Sequence, residues 1–283
     1  MRKSAVYALI FAAAFTLAQP VSAADHGPVF GLATPTNPKG GWSFDLGVNG
    51  RGGAGGSATT LEGELSYGLT ENLKLAVSGP VVFQPDPYPR SSVTTNTPSS
   101  GDFSGLAWWR FQRRDFEGKR IESTAVGGIL LPGPQGETGL YRNLNSGPGY
   151  LVGAVTGLAS RSQYVWAAAS YQRYAASNGD RRPDLLSYTA VYGYRPFSWR
   201  TDYPRWDWRV FGEFTGERTG SVQRQNAVVT GSQAQQLFFG PSVLGVYRAI
   251  GIEAGMQFPI YRNAGDLYPK ERYRFAINFA YFF

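Results

Sequence analysis

The nearest thing to a catalytic pair in this 283-residue chain is Glu62 and Glu64, two carboxylates two positions apart. On a strand they share a face, with Cα atoms about 6.5–7 Å apart. Glycoside hydrolases use comparable carboxyl separations, but their pairs flank the substrate from two sides, which neighbours on one strand do not. The only histidine, His26, stands near the amino end, so a Ser-His-acid relay or a histidine-rich metal site has no material. The chain lacks cysteine, which removes thiol catalysis, Fe–S clusters and thiolate zinc sites. "GRGGAG" at 50–55 has dinucleotide-loop spacing but is followed by a strand pattern, whereas that loop needs a helix whose amino end holds the pyrophosphate. Calcium held by loop-tip carboxylates has no support in the sequence. No enzyme and no cofactor are expected.

The ionic residues fit a different chemistry. Read in strand register, Asp45, Glu62, Glu64, Glu122, Glu213 and Glu253 fall on one face of their segments, as do Lys74, Arg110, Arg173, Arg209 and Arg274. Both signs occur on neighbouring segments. Arg274 is expected beside Asp45 and Glu253, and Lys74 beside the strand that carries Glu62 and Glu64. Such a face is either a network of neutralised pairs that stabilises a wall, as buried charges require, or a selectivity lining for a polar or ionic solute. Leu106, Trp108, Phe211 and Phe238 are expected on the same side, where they would narrow the passage and contact an apolar solute.

The elements that must position these residues are strands. From Trp42 onward the hydrophobic period is two. Twelve strands are predicted, over 41–49, 58–68, 73–83, 102–112, 120–131, 149–159, 164–175, 185–195, 207–216, 236–248, 251–260 and 271–283. Short connections alternate with long ones rich in Pro, Gly, Ser or Asn (84–101, 132–148, 177–184, 217–235 and 261–270), so the long loops gather at one end. This asymmetry and strand lengths near the crossing value of about 9–11 residues predict a twelve-stranded antiparallel up-and-down transmembrane β-barrel. Closure leaves no unpaired edge in lipid. A soluble β-sandwich would also alternate, with the opposite faces buried.

The flanking segments complete the organisation. Arg2 and Lys3, the apolar run 5–18 and the small residues around Ala23 predict a cleaved signal peptide over 1–23. Residues 24–40 are then a flexible periplasmic segment and 41–283 the barrel. Removing Arg2 and Lys3 from 27 basic residues leaves 25 against 20 acidic, a mature charge of +5, too mild and too interspersed to imply nucleic-acid binding. The stretch 194–209, aromatics interleaved with Arg195, Arg200, Arg205 and Arg209, suits a membrane girdle beside lipid phosphates.

The carboxy end, "YRFAINFAYFF", places Tyr273, Phe275, Ile277, Phe279, Tyr281 and Phe283 on one face, which lipid would cover. It resembles the carboxy-terminal signature of bacterial outer-membrane proteins. That resemblance implies recognition by the barrel assembly machinery and an outer-membrane location among its lipids. The body of the chain resembles the outer-membrane family named for the MetA pathway of phenol degradation. The resemblance rests on "YGLTENLKLAV" at 67–77, "GDFSGLAWWRF" at 101–111, "LLPGP" at 130–134, "FFGPSVLGVY" at 238–247 and "MQFPIY" at 256–261. It implies a barrel related to transport and carries over no catalytic residue. The expected function is passage or binding of a small solute, aromatic or apolar in one version, without energy coupling. The alternative is an occluded barrel whose loops bind.

Overall fold

In the computed structural model, described over residues 27–34, 36–82, 102–133, 144, 146–201 and 205–283, the chain is a closed antiparallel barrel of twelve strands. The strands are β1 (Trp42–Gly53), β2 (Gly56–Thr70), β3 (Leu73–Val82), β4 (Phe103–Phe116), β5 (Lys119–Leu131) and β6 (Ser146–Ser160). They continue with β7 (Gln163–Ala176), β8 (Leu185–Tyr194) and β9 (Asp207–Thr219). A two-stranded ribbon, β10 (Gln223–Arg224) and β11 (Ala227–Val228), interrupts the series before β12 (Ala234–Tyr247), β13 (Ile250–Ala264) and β14 (Glu271–Phe282) close it. Each barrel strand pairs with its neighbours in chain order, and β14 returns to β1 with Phe44 aligned to Tyr281. The predicted signal peptide and the loop 84–101 lie outside the described residues.

Alternation sets the direction of every side chain. On β8 the pattern is strict, with Leu185, Ser187, Thr189 and Val191 buried and Leu186, Tyr188, Ala190 and Tyr192 exposed. The outer surface is apolar: Val77 is 60% exposed, and Trp109, Ile129, Val152, Phe258 and Ile277 are similarly bare. In water that area would be unfavourable at roughly 25 cal/mol per Å², so hydrocarbon must cover it. The ionic residues turn inward instead: Glu213, Glu271 and Arg274 are fully buried. This orientation is that of a membrane barrel and the reverse of a sandwich.

Several strands run past their predicted ends. β1 and β2 are joined by residues 54–55 alone, where 50–57 reads as a connection in the sequence. Gly50, Gly52 and Gly53 carry no side chain to show alternation, yet their backbones pair. β4 and β5 likewise continue as a charged hairpin to Phe116 and Lys119, beyond the last β3–β4 pair, Leu73 with Trp109. The connection 196–206 contains a short 3-10 turn, Phe197–Trp199.

The carboxy end is fastened, not frayed. Trp42 donates its N–H to the Phe283 carbonyl at 2.8 Å, and Phe283 donates to the Trp42 carbonyl at 3.0 Å. Their rings stack 6.5 Å apart, with Tyr281 5.7 Å from Phe283.

Candidate functional site: a plugged lumen

The inner wall is divided by chemistry. One arc, from β4 to β9, presents Leu106, Trp108, Val126, Leu151, Val155, Trp166 and Phe211, which pack as one cluster. Tyr164 and Trp166 stack with centroids 5.6 Å apart, and Phe211 tilts against both. The opposite arc, from β12 through β14 to β3, presents Ser242, Glu253, Gln257, Asn49, Glu62, Glu64 and Lys74. The split is partial: β4, β5 and β9 also turn Arg110, Glu122 and Glu213 inward, and β12 turns Phe238 and Leu244 inward.

Between the arcs lies the amino-terminal segment. Val29, Phe30, Leu32, Thr34, Thr36 and Asn37 are buried, and Phe30 is 0% exposed. This corrects the sequence expectation of a flexible periplasmic tail: from Gly27 to Pro38 the described residues sit inside the barrel. The signal for it is in the sequence, since "PVFGLAT" at 28–34 carries three large apolar residues and no charge, and a tail in water has no use for them.

Three contacts hold the plug. At its inner tip the Glu213 carboxylate on β9 accepts the backbone N–H groups of Val29 at 3.0 Å and of Phe30 and Gly31 at 2.8 Å each. The Ser242 hydroxyl donates to the same carboxylate. Among the described residues Glu213 has no ion pair, so backbone dipoles and a hydroxyl stabilise it in place of a cation. Further down, the Thr34 hydroxyl accepts the Trp166 indole N–H at 3.3 Å and donates to Glu122 at 3.4 Å, while Thr124 donates to the Thr34 carbonyl at 2.8 Å. At the barrel's foot Asn37 donates to the Ser43 hydroxyl at 3.1 Å. Two glycines permit the close fit. A Cβ on Gly255 would lie 2.7 Å from the Phe30 ring, and one on Gly31 would lie 2.5 Å from Val191 Cγ2.

Ion pairs stand at both ends of the lumen. Toward the long loops, Arg274 makes paired bonds of 2.7 Å to both oxygens of Glu217 and a 2.6 Å bond to Glu271. Arg51 adds a 3.6 Å contact to Glu271, and the Arg274 guanidinium stacks 3.9 Å from the Phe238 ring centre. Across the mouth, Arg182 holds both Asp102 oxygens at 2.9 and 3.0 Å, and Asp102 also accepts from Tyr174 at 2.8 Å and the Gly133 N–H at 2.9 Å. At the short-turn end, Arg110 pairs with Glu122 at 3.2 Å, and Arg209 with Asp207 at 3.2 Å.

Of the eleven residues expected to line the lumen, ten face it. Arg173 does not. It lies on the outer face of β7, with its side chain 49% exposed and 4.0 Å from Asp184. The sequence misleads there because Arg173 shares the outward face of Tyr171, two positions away on β7, and a charge among aromatics reads as an inward one. One expected pairing also differs. Arg274 aligns with Arg51, not Asp45, and takes Glu217 and Glu271 as partners. Asn278 instead stands between Asp45 and Glu253, 3.4 and 3.5 Å from their carboxylates. Lys74 on β3 does lie beside β2, the strand that carries Glu62 and Glu64, in register with Gly68 and with its ammonium 4.8 Å from the Trp108 ring centre. Leu106, Trp108, Phe211 and Phe238 all point inward as expected. Arg51 and Glu217 are absent from the sequence-derived set because they fall in stretches that read as loops.

No protein-family model matches the chain, the MetA-pathway family included, and no curated protein matches it. Solved structures do. An outer-membrane channel from Pseudomonas putida F1 superposes over 92% of this chain and 99% of its own, with a TM-score of 0.59 and 14% identity. The NanC porin superposes over 84% of this chain and 98% of its own, with a TM-score of 0.50 and 8% identity. At such identities the likeness is one of fold: this chain has the architecture of bacterial outer-membrane barrels.

Proposed function

We propose that this protein is an outer-membrane channel for a small, largely apolar solute, aromatic in the favoured case, and that residues 27–38 are its plug. The single observation that carries the proposal is the apolar arc of Trp108, Trp166 and Phe211 facing a separate segment, seated on it through Leu32 and anchored elsewhere by hydrogen bonds and the Phe30 ring. A barrel needing only rigidity would fill its lumen from the wall. Twelve strands leave more interior than eight, whose side chains can fill the space, and less than the sixteen or more of an open aqueous pore. The polar arc offers a separate edge to any hydroxyl or carboxylate the solute carries.

No energy source is required, because a solute consumed on the inner side flows down its gradient. The test is flux. Proteoliposomes should admit a small aromatic such as toluene or phenol faster than empty vesicles do, and removal of residues 27–38 should raise both flux and single-channel conductance. An absence of flux and conductance in both forms would defeat the proposal. It would leave the second reading, an occluded barrel with loop-borne binding, which the buried Arg274–Glu217–Glu271 cluster at the mouth favours.

A further inference from the structure

The outer surface changes character at the end that bears the long loops. Tyr150 and Tyr171, with ring centroids 6.4 Å apart, finish the apolar belt on β6 and β7, and Leu186 and Tyr188 finish it on β8. At the same height on β9 stands Arg218, in register with Leu186 on one side and Gln235 on the other. Gln235 in turn aligns with Asn263 of β13. Arg218, Gln235 and Asn263 are all exposed and form one outward row across three strands. Arg173 is outward too, two residues beyond Tyr171 on β7.

Charge in this band is unbalanced. Asp184 serves Arg173 at 4.0 Å, Arg181 at 3.6 Å and the Tyr171 hydroxyl at 2.8 Å. Arg218 has no ion pair among the described residues, and neither does the exposed Arg272 at the start of β14. The other carboxylate at this edge, Asp266, lies in the exposed turn after β13. An unpaired guanidinium directly above a lipid-covered belt faces headgroups, and a planar fork of N–H donors suits phosphate oxygens.

We propose that this row is a binding site for the phosphorylated sugar headgroup of an outer-leaflet glycolipid. Arg173 and Arg218 take phosphate, Gln235 and Asn263 hydrogen-bond sugar hydroxyls, and the tyrosines pack against the upper acyl chains. From the strand spacing and rise, the Cα atoms of Arg173 and Arg218 lie roughly 12 Å apart, a span suited to two phosphates on one disaccharide. The site is on the wall's outside and does not depend on whether the lumen conducts.

Titration of purified protein in neutral detergent with lipid A, read by native mass spectrometry and thermal shift, tests it. Wild type should bind lipid A at least ten times more tightly than dephosphorylated lipid A. Arg173→Gln with Arg218→Gln should lose that preference, and Arg218→Gln alone, which breaks no ion pair or side-chain hydrogen bond among the described residues, should lose part of it. Arg114→Gln, an exposed arginine at the opposite end, should bind as wild type. Equal affinity for the two lipids, no binding by wild type, or an unaltered preference in the double variant would overturn the assignment.

Discussion

Glu213 accepts the Phe30 backbone N–H at 2.8 Å across 183 positions of sequence. The bond joins the middle of β9 to the tip of the amino-terminal plug, and the same carboxylate also takes the N–H groups of Val29 and Gly31. One side chain thus satisfies three consecutive backbone donors that would otherwise be buried without partners. Replacing it strands all three at once.

Glu213→Ala should therefore free the plug. Losing charge-assisted bonds of this kind costs on the order of 3 kcal/mol or more, borne by the plugged state and not by the barrel. Single-channel recording should show more frequent or larger openings, while barrel melting moves little. A closed channel with wild-type statistics would remove Glu213 from the role of anchor.

Phe30→Ala removes a fully buried ring that packs near Gly255 and Ala276. Truncating a buried phenylalanine costs about 3–5 kcal/mol. Here the loss should appear as protease access to the amino end at temperatures where the barrel stays folded. Gly255→Val should act in the same direction by crowding the ring. Simultaneous loss of plug and barrel would show that the two fold as one unit.

Arg274→Ala tests wall stability rather than conduction. Breaking a buried pair by removing one partner leaves uncompensated charge and costs about 3–5 kcal/mol; Glu217 would be left so, while Glu271 would keep Arg51 at 3.6 Å. Thermal unfolding should begin well below that of wild type. Asp45→Asn, whose carboxylate is partly exposed near Asn278, should instead leave stability nearly unchanged and shift cation-to-anion permeability in a plug-deleted barrel. If Arg274→Ala changes selectivity without lowering stability, the mouth cluster belongs to the permeation path.

Deleting Phe283 should slow insertion. The residue closes β14 onto β1 through two backbone bonds with Trp42 and stacks on its indole. We expect less folded barrel in membranes at equal expression, with the surviving fraction near wild type in melting. Normal yields would separate the terminal ring from assembly.

Most of the wall was legible because alternation is a local signal. Trp42, Phe44 and Leu46 on β1, and the strict pattern on β8, show their faces without reference to any other segment. Partners were not legible, since they depend on register, which glycines and bulges reset. The glycine run 50–53 hid Arg51 from the strand it belongs to, and the irregularity between Gly52 and Gly53 displaces Glu271 toward it. The plug was the largest omission. Its fold has no periodicity at all, because it is held by wall residues as far as 184 positions away, and only the apolar content of 28–34 marked it.

The plug's displacement can be read directly, because the chain has no cysteine of its own. A Cβ on Gly31 would sit 2.5 Å from Val191 Cγ2, so Gly31→Cys with Val191→Cys places two thiols within disulfide reach. Aromatic-solute flux through this variant in proteoliposomes, oxidised and then reduced, is the decisive measurement. Flux that falls to the empty-vesicle level on oxidation and returns on reduction is the predicted result. Flux that continues undiminished through the cross-linked barrel would contradict the plug as the gate.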